Sequence, residues 1–354
     1  DPAFDWNLAF VPREELPSRA FELSLVVSDG DPTRSTHDGD PLNTTYVGIA
    51  YGNELRDDRA RRLLAAGSIT GRDEVMAILH DTRSTLGERL QPTLVQILRN
   101  SAIASRPPIE RTRLGVALGV LEAWTLDTPA ATASPDTNSA ATLLFNTWVH
   151  HFARLALGDD LAAMQYPAPL DDDRLARLVH RLLIAPDTLA PHPTSGAPLL
   201  CGARGCTELA LDAAVAAVAE LAADGSGPED WRWGRRHALR FLPVFPDPTG
   251  AFVLPATGAY PREGDTFSID RADGGYADTD FTPHRATAYR VSIARPIAAP
   301  LALRLELPGG TVLDIRDPHY RDLLETSYLP RTAVDVPSTI NDITAAGGSR
   351  WELR

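Results

Sequence analysis

The chain has 354 residues, 44% of them hydrophobic, with a formal net charge of −13 and an isoelectric point near 5.1. That length can bury a large core in one domain or two, and the acidic balance excludes electrostatic support for a nucleic-acid partner. No apolar run reaches the roughly 18 residues that suggest a membrane span, and all 34 basic residues are arginine, which reads as biased coding because no basic patch stands apart from its acidic neighbours.

The sequence opens on Asp1-Pro2, and its methionines are Met76 and Met164, so the chain is expected to be a processed or excised piece. Residues 1–52 are rich in Pro, Gly and Asp. Their one apolar stretch, Leu23 to Val27, predicts a strand ending in the turn Asp29-Gly30. The tetrapeptide DGDP occurs at 29–32 and again at 38–41, and Gly beside Asp and before Pro marks tight turns. Asp29, Asp31, Asp38 and Asp40 on those turns could supply oxygen ligands to Ca²⁺, although solvated turn acids are the commoner outcome of such a pattern.

From about residue 53 the period is helical. Leu55, Arg59, Arg62 and Leu63 recur at helical spacing, and Thr70 with Asp73 predicts a capped helix running toward His80. Leu86, Leu90, Leu94, Ile97 and Leu98 form one amphipathic face. Further helices fit 111–124, 139–157, 171–185 and 207–223, with a Pro/Ala/Thr/Ser-rich loop at 125–138. The Ala-rich run Leu209 to Leu221 is interrupted by Asp212 and Glu220, so it predicts a buried helix rather than a membrane span. Cys201 and Cys206 are either two buried thiols or a local disulfide; a zinc site is disfavoured because no further Cys/His pair lies nearby. His150-His151 point about 100° apart on a helix and are read as structural.

After Trp231 the period changes to two. Thr287, Tyr289, Val291 and Ile293 alternate with polar residues, as do Leu301, Leu303 and Leu305. Strands are expected at about 251–254, 265–270, 286–295, 301–307 and 311–315. The chain therefore reads as α+β, a sheet interrupted by a helical insertion. Its segments are 1–52 (strand and loop), 53–230 (helical insertion) and 231–354 (β-rich remainder). No G-x-S-x-G, H-E-x-x-H, P-loop or G-x-G-x-x-G motif occurs, so the residues alone give no complete catalytic constellation.

Seven stretches, in order, resemble blocks of the penicillin-acylase family of N-terminal-nucleophile hydrolases. They are Asp1 to Trp6 with Phe10-Val11-Pro12 and Glu15-Leu16-Pro17; Arg59-Ala60-Arg61-Arg62-Leu63; Asp81-Thr82-Arg83-Ser84; Trp231-Arg232-Trp233-Gly234 with His237; Gly264-Asp265-Thr266; Thr287-Ala288-Tyr289-Arg290; and Pro318 to Asp322. The resemblance implies a four-layer αββα sandwich with a large helical insertion. It also implies cleavage of a linear N-acyl amide by a serine at the N-terminus of the large subunit, using its own α-amino group as base, with no cofactor required. The nucleophile is then expected upstream of Asp1, so the implied partner is the upstream half of the same precursor: the small subunit and the N-terminal part of the large subunit. Export to the periplasm or medium is implied as well.

Carried over by residue, Arg59 is the best match for the arginine that supports the site, with Arg56 one turn earlier as the alternative match. A surface role for Arg59, paired with Glu54 or Asp57, is the alternative. Asp29 stands where the family has its oxyanion-stabilising asparagine, and an ionised carboxylate cannot donate a hydrogen bond. The sequence therefore carries three readings: a working acylase component, a degenerate homologue that binds a ligand or serves as a structural partner, or an unrelated helical-plus-β binding module.

Overall fold

A computed structural model of the chain describes residues 54–67, 71–100, 103–163, 172–186, 199–241, 258–295, 300–310 and 317–347, with isolated positions such as Val26 between them. The expected strand at Leu23 to Val27, apart from Val26, lies outside the described residues, as do Asp29 and the acids at 31, 38 and 40.

The helical half follows the periodicity. It consists of α1 (Leu55–Ala66), α2 (Arg72–Leu79), α3 (Thr85–Asn100), α4 (Pro108–Glu122), α5 (Thr137–Ala163), α6 (Asp172–Ile184) and α7 (Cys206–Leu221). Leu86, Leu90, Leu94 and Leu98 are spaced one turn apart on α3, and all four are buried, because residues at i and i+4 share a face. Alternation of large and small residues lets α5 and α7 pack closely: Trp148 on α5 donates its indole N–H to the Ala210 carbonyl at 3.0 Å, and Ala213, Ala214 and Ala217 are buried beside it. Trp124, Phe145, Trp148 and Phe152 line up through this core, with successive ring centroids 5.1, 6.0 and 5.3 Å apart.

Cys201 and Cys206 form a disulfide at the start of α7, and His150 and His151 bond to the Tyr276 carbonyl and to Glu220, as structural residues do. One start signal differs from expectation. Gly71, not Thr70, is the N-cap of α2, and no side chain caps it. No described helix is long and apolar enough to cross a membrane.

The remainder is short and β-rich. A four-residue helix α8 (Trp233–Arg236) leads into β1 (Ala238–Leu239), which pairs with β2 (Tyr260–Pro261). Next, β3 (Ala272–Asp273) pairs with β4 (Arg285–Ala286). A three-stranded antiparallel sheet follows, with β5 (Arg290–Ala294), β6 (Ala302–Glu306) and β7 (Val334–Val336) in that order and register Val291↔Leu305 and Leu303↔Val336. A terminal helix α9 (Ile340–Ala345) starts on a capping box in which Thr339 and Asp342 exchange hydrogen bonds. The architecture is mixed helix with small antiparallel sheets, compatible with α+β. Phe267, Tyr276 and Phe281 from the β-rich part join the same apolar core as the helices.

Two sequence expectations are corrected. Residues 265–270 form a turn rather than a strand. The Asp265 carboxylate accepts the N–H groups of Phe267 and Ser268, each at 2.9 Å, and Gly264 enters with φ +83°, so side-chain bonds replace a ladder. Expected strand 286–295 is broken at Thr287, whose N–H goes to the Arg271 carbonyl at 3.0 Å, and resumes at Arg290. The stretches 251–254 and 311–315 fall outside the described residues, apart from Val312.

Candidate active site

The blocks that carry the family resemblance are far apart in sequence, yet several meet at one junction between the helices and the β-rich part. The Asp81 carbonyl accepts the Asp270 N–H at 2.9 Å. The Thr82 carbonyl accepts hydroxyls from Thr128 and Ser268, and Thr85 donates to the Phe267 carbonyl at 2.7 Å. Trp233 donates its indole N–H to the Gly264 carbonyl at 2.9 Å and its backbone N–H to Ser139 Oγ at 2.8 Å. His237 stacks on Trp233 at 4.2 Å between centroids and hydrogen-bonds the Phe281 carbonyl through Nδ1 at 2.8 Å. Burial pushes this imidazole down to about 3. It is therefore neutral at ordinary pH, and its Nδ1–H is the donor in that bond.

Beneath the junction lies a buried ionic network. Asp270, fully buried, accepts from Arg262, Arg290 and Arg331. Burial by itself would raise its carboxyl; the guanidinium groups of Arg262, Arg290 and Arg331 outweigh that and hold it below the usual carboxylate range. Arg290 also donates to Glu306 at 2.8 Å, and His80 closes the chain on Glu306 at 2.8 and 3.0 Å. Both Arg262 and Arg290 lie over the Tyr328 ring, 5.4 and 4.8 Å from its centroid, within cation–π range.

Arg59 sits on α1 at the edge of this junction. Its partner is Asp81, reached by Nε to Oδ1 at 3.2 Å and Nη2 to Oδ2 at 2.7 Å, not the Glu54 or Asp57 of the surface alternative. Asp57 instead accepts from Arg61 at 2.7 Å, and Arg61 reaches the Val26 carbonyl at 3.2 Å. One arginine of α1 thus faces the α2–α3 connection, and another touches the segment leading toward Asp29. Arg62 grips Glu88 with both arms, and that hydrogen bond draws the Glu88 carboxyl below its ordinary range against the effect of burial. Asp29 itself lies outside the described residues.

A second polar group lies beside a cavity of about 450 Å³, which Asp172 and His284 line. Ligand atoms of Asp172, Asp273 and His284 lie within 4.8 Å of one another. Burial first, then the neighbouring Asp273, push the Asp172 carboxyl up to about 8, so it holds a proton. Asp273 is already bonded by Arg271 at 2.6 Å, Arg285 at 3.0 Å and the Gly275 N–H at 3.2 Å. This donor set fits Ca²⁺ poorly, since it offers an imidazole in place of a further oxygen and its central carboxylate is neutralised by arginines. The sequence points to the turn acids, not to this group, as possible Ca²⁺ ligands.

Asp81, Asp270, Arg290 and Glu306 were missed as a group. Asp81 and Arg290 lie inside blocks quoted for the resemblance, so the signal existed for those two; nothing local marks Asp270 or Glu306. A search among characterised proteins gave no significant match. A family model described as penicillin amidase matches residues 1–343, nearly the whole sequence, and the chain therefore belongs to the penicillin amidase family of acylase-type amidohydrolases.

Proposed function

We propose that this chain is part of an acylase that hydrolyses a linear N-acyl amide, such as an acyl-homoserine lactone, a lipopeptide or a β-lactam side chain. The observation that carries this reading is the family match over residues 1–343. In the proposed assembly the nucleophilic serine belongs to the upstream half of the same precursor, its α-amino group serving as base. The two pieces form an αββα sandwich in the periplasm or the medium. Arg59 supports the site from α1, and Asp29 occupies the oxyanion position. No cofactor is required; bound Ca²⁺ on the turn acids is an optional addition.

The test is native mass spectrometry of the purified assembly with N-terminal sequencing of each component, followed by hydrolysis of chromogenic N-acyl-4-nitroanilides of varied acyl length. A second polypeptide beginning with serine and measurable turnover are the expected results. Correct processing with no turnover of any N-acyl substrate sinks the reading.

The identity of residue 29 favours a second reading, a degenerate homologue that binds rather than cleaves. Loss of one oxyanion donor typically costs about 2.7–4 kcal/mol of transition-state stabilisation. Under this reading Asp29→Asn creates or raises amidase activity; under the first, it leaves activity unchanged or lowers it.

A further inference from the structure

We propose that Asp81 is the positioning residue for Arg59, fixing the direction in which its guanidinium presents its remaining donors. The inference rests on the reading of Arg59 as the site arginine.

Helix α1 is held mainly by charge: Leu55 at its start packs against the core but is only half-buried. Its sole buried residue among those described is Asp57, and it docks on the rest of the molecule through Arg59–Asp81, Arg62–Glu88 and Asp58–Arg89. Without a continuous buried apolar stripe the rotation of a helix about its own axis is set largely by its polar contacts, so the direction of Arg59 depends on its polar partner. That partner is well suited to the task. Both side chains are largely buried, with 19% and 14% of their surface exposed. The paired Nε and Nη2 contacts match a planar guanidinium to a planar carboxylate, which sets orientation as well as distance. Among the described residues Nη1 makes no hydrogen bond, so that edge is left to face outward from the pair.

Asp81 is itself immobilised. Its N–H bonds the Ile78 carbonyl at 3.1 Å, and its carbonyl takes the Asp270 N–H at 2.9 Å. Its neighbours are tied down too: His80 to Glu306, and the Thr82 carbonyl to Thr128 and Ser268. The carboxylate therefore projects from a backbone fixed on both sides of the junction. Glu88, by contrast, divides its contacts between Arg62 and Arg83 and does not touch Arg59.

The experiment is steady-state hydrolysis of an N-acyl-4-nitroanilide by the complete assembly carrying Asp81→Asn, Asp81→Glu, Arg59→Ala, Arg59→Ala with Asp81→Asn, or Glu88→Gln. Asp81→Asn is expected to lower kcat roughly 10-fold or more, because misdirection of a positioned group is costly, while KM stays within about two-fold. Asp81→Glu, which keeps the charge, recovers part of the loss. Adding Asp81→Asn to Arg59→Ala costs little more than Arg59→Ala alone, since coupled residues are non-additive. Glu88→Gln, which removes a neighbouring ion pair of the same helix, keeps kcat near the parent value.

Three outcomes overturn the inference. If Asp81→Asn retains kcat while Arg59→Ala loses it, the arginine matters and its carboxylate does not. If Glu88→Gln loses as much as Asp81→Asn, general docking of α1 accounts for the effect. If Arg59→Ala itself keeps full activity, the reading of Arg59 falls and takes the inference with it. Should Asp81→Asn fail to fold, the exchange Arg59→Asp with Asp81→Arg restores the pair with the guanidinium on the wrong element. It is expected to be folded and inactive, and activity in that variant overturns the inference as well.

Discussion

Arg290 reaches Asp270 with one arm of its guanidinium and Glu306 with the other, and all three side chains are fully buried. The chain continues through His80 into the end of α2, so one arginine on β5 ties the small sheet to the helices. Desolvating these charges is costly, and an intact network is not by itself evidence of high stability. Removing a single member is different, because it strands its partners without compensation.

Arg290→Met is expected to destabilise the folded protein by about 3–5 kcal/mol, the usual range for breaking a buried pair by deleting one partner. Chemical denaturation of the purified protein, compared with the parent, measures it. A loss under about 1 kcal/mol would mean that water or neighbouring arginines satisfy Asp270 and Glu306 after all.

The Asp172–Asp273 pair sets a pH dependence. Asp172 titrates from an ordinary value of 3.8 up to about 8 in the folded chain, so between those values the folded state holds a proton that the unfolded state has released. Its contribution is fully present below about pH 4 and is lost as pH rises toward 8. Asp273 is shifted the other way, downward, by Asp172 and by Arg271, His284 and Arg285 acting against burial, so its contribution is lost in acid, below the same window. Asp172→Asn keeps a hydrogen-bond donor and removes the titration. The variant is therefore expected to lose less thermal stability than the parent between about pH 5 and pH 8, scanned by Tm in buffers of matched ionic strength. Parallel curves for the two proteins would refute the assignment.

Gly87 on α3 is a packing requirement. A Cβ built there would lie 2.5 Å from the Trp124 ring, and that ring cannot swing away freely, because its N–H is bonded to the Asp127 carbonyl at 3.0 Å. Gly87→Ala gains helix propensity but overpacks the core, for an expected net loss of about 1–3 kcal/mol. Trp124 should report the displacement through a changed tryptophan emission spectrum; an unchanged spectrum with unchanged stability would show that the contact relaxes without cost.

Much of the helical half was legible in the sequence. Leu86, Leu90, Leu94 and Leu98 specify their helix and its buried face together, because an apolar residue every turn has a single economical burial. The loop at 125–138 and the helix at 209–221 follow from composition in the same way. Local rules were less successful where a side chain competes with the backbone. Asp265 captures two N–H groups and turns the chain where alternation suggested a strand, and α2 is capped at Gly71 rather than at the expected Thr70.

Strand β5 divides what sequence determines from what tertiary structure decides. Its period of two is written in Arg290, Val291, Ser292 and Ile293, and the strand is there. Yet the inward face carries Arg290 and Ser292, while Ile293 is 61% exposed. Hydrophobicity alone would assign the faces the other way. The choice was made by Asp270 and Glu306, far from β5 or paired across the sheet, which supply charged partners for Arg290 that no local window contains. The same holds for Arg59: its helix and its family block are legible in the sequence, but its partner Asp81 is selected by how α1 lies against the α2–α3 connection. Periodicity fixes elements because it is a local property of the chain; the pairing of buried charges depends on which elements meet, and only the folded structure settles that.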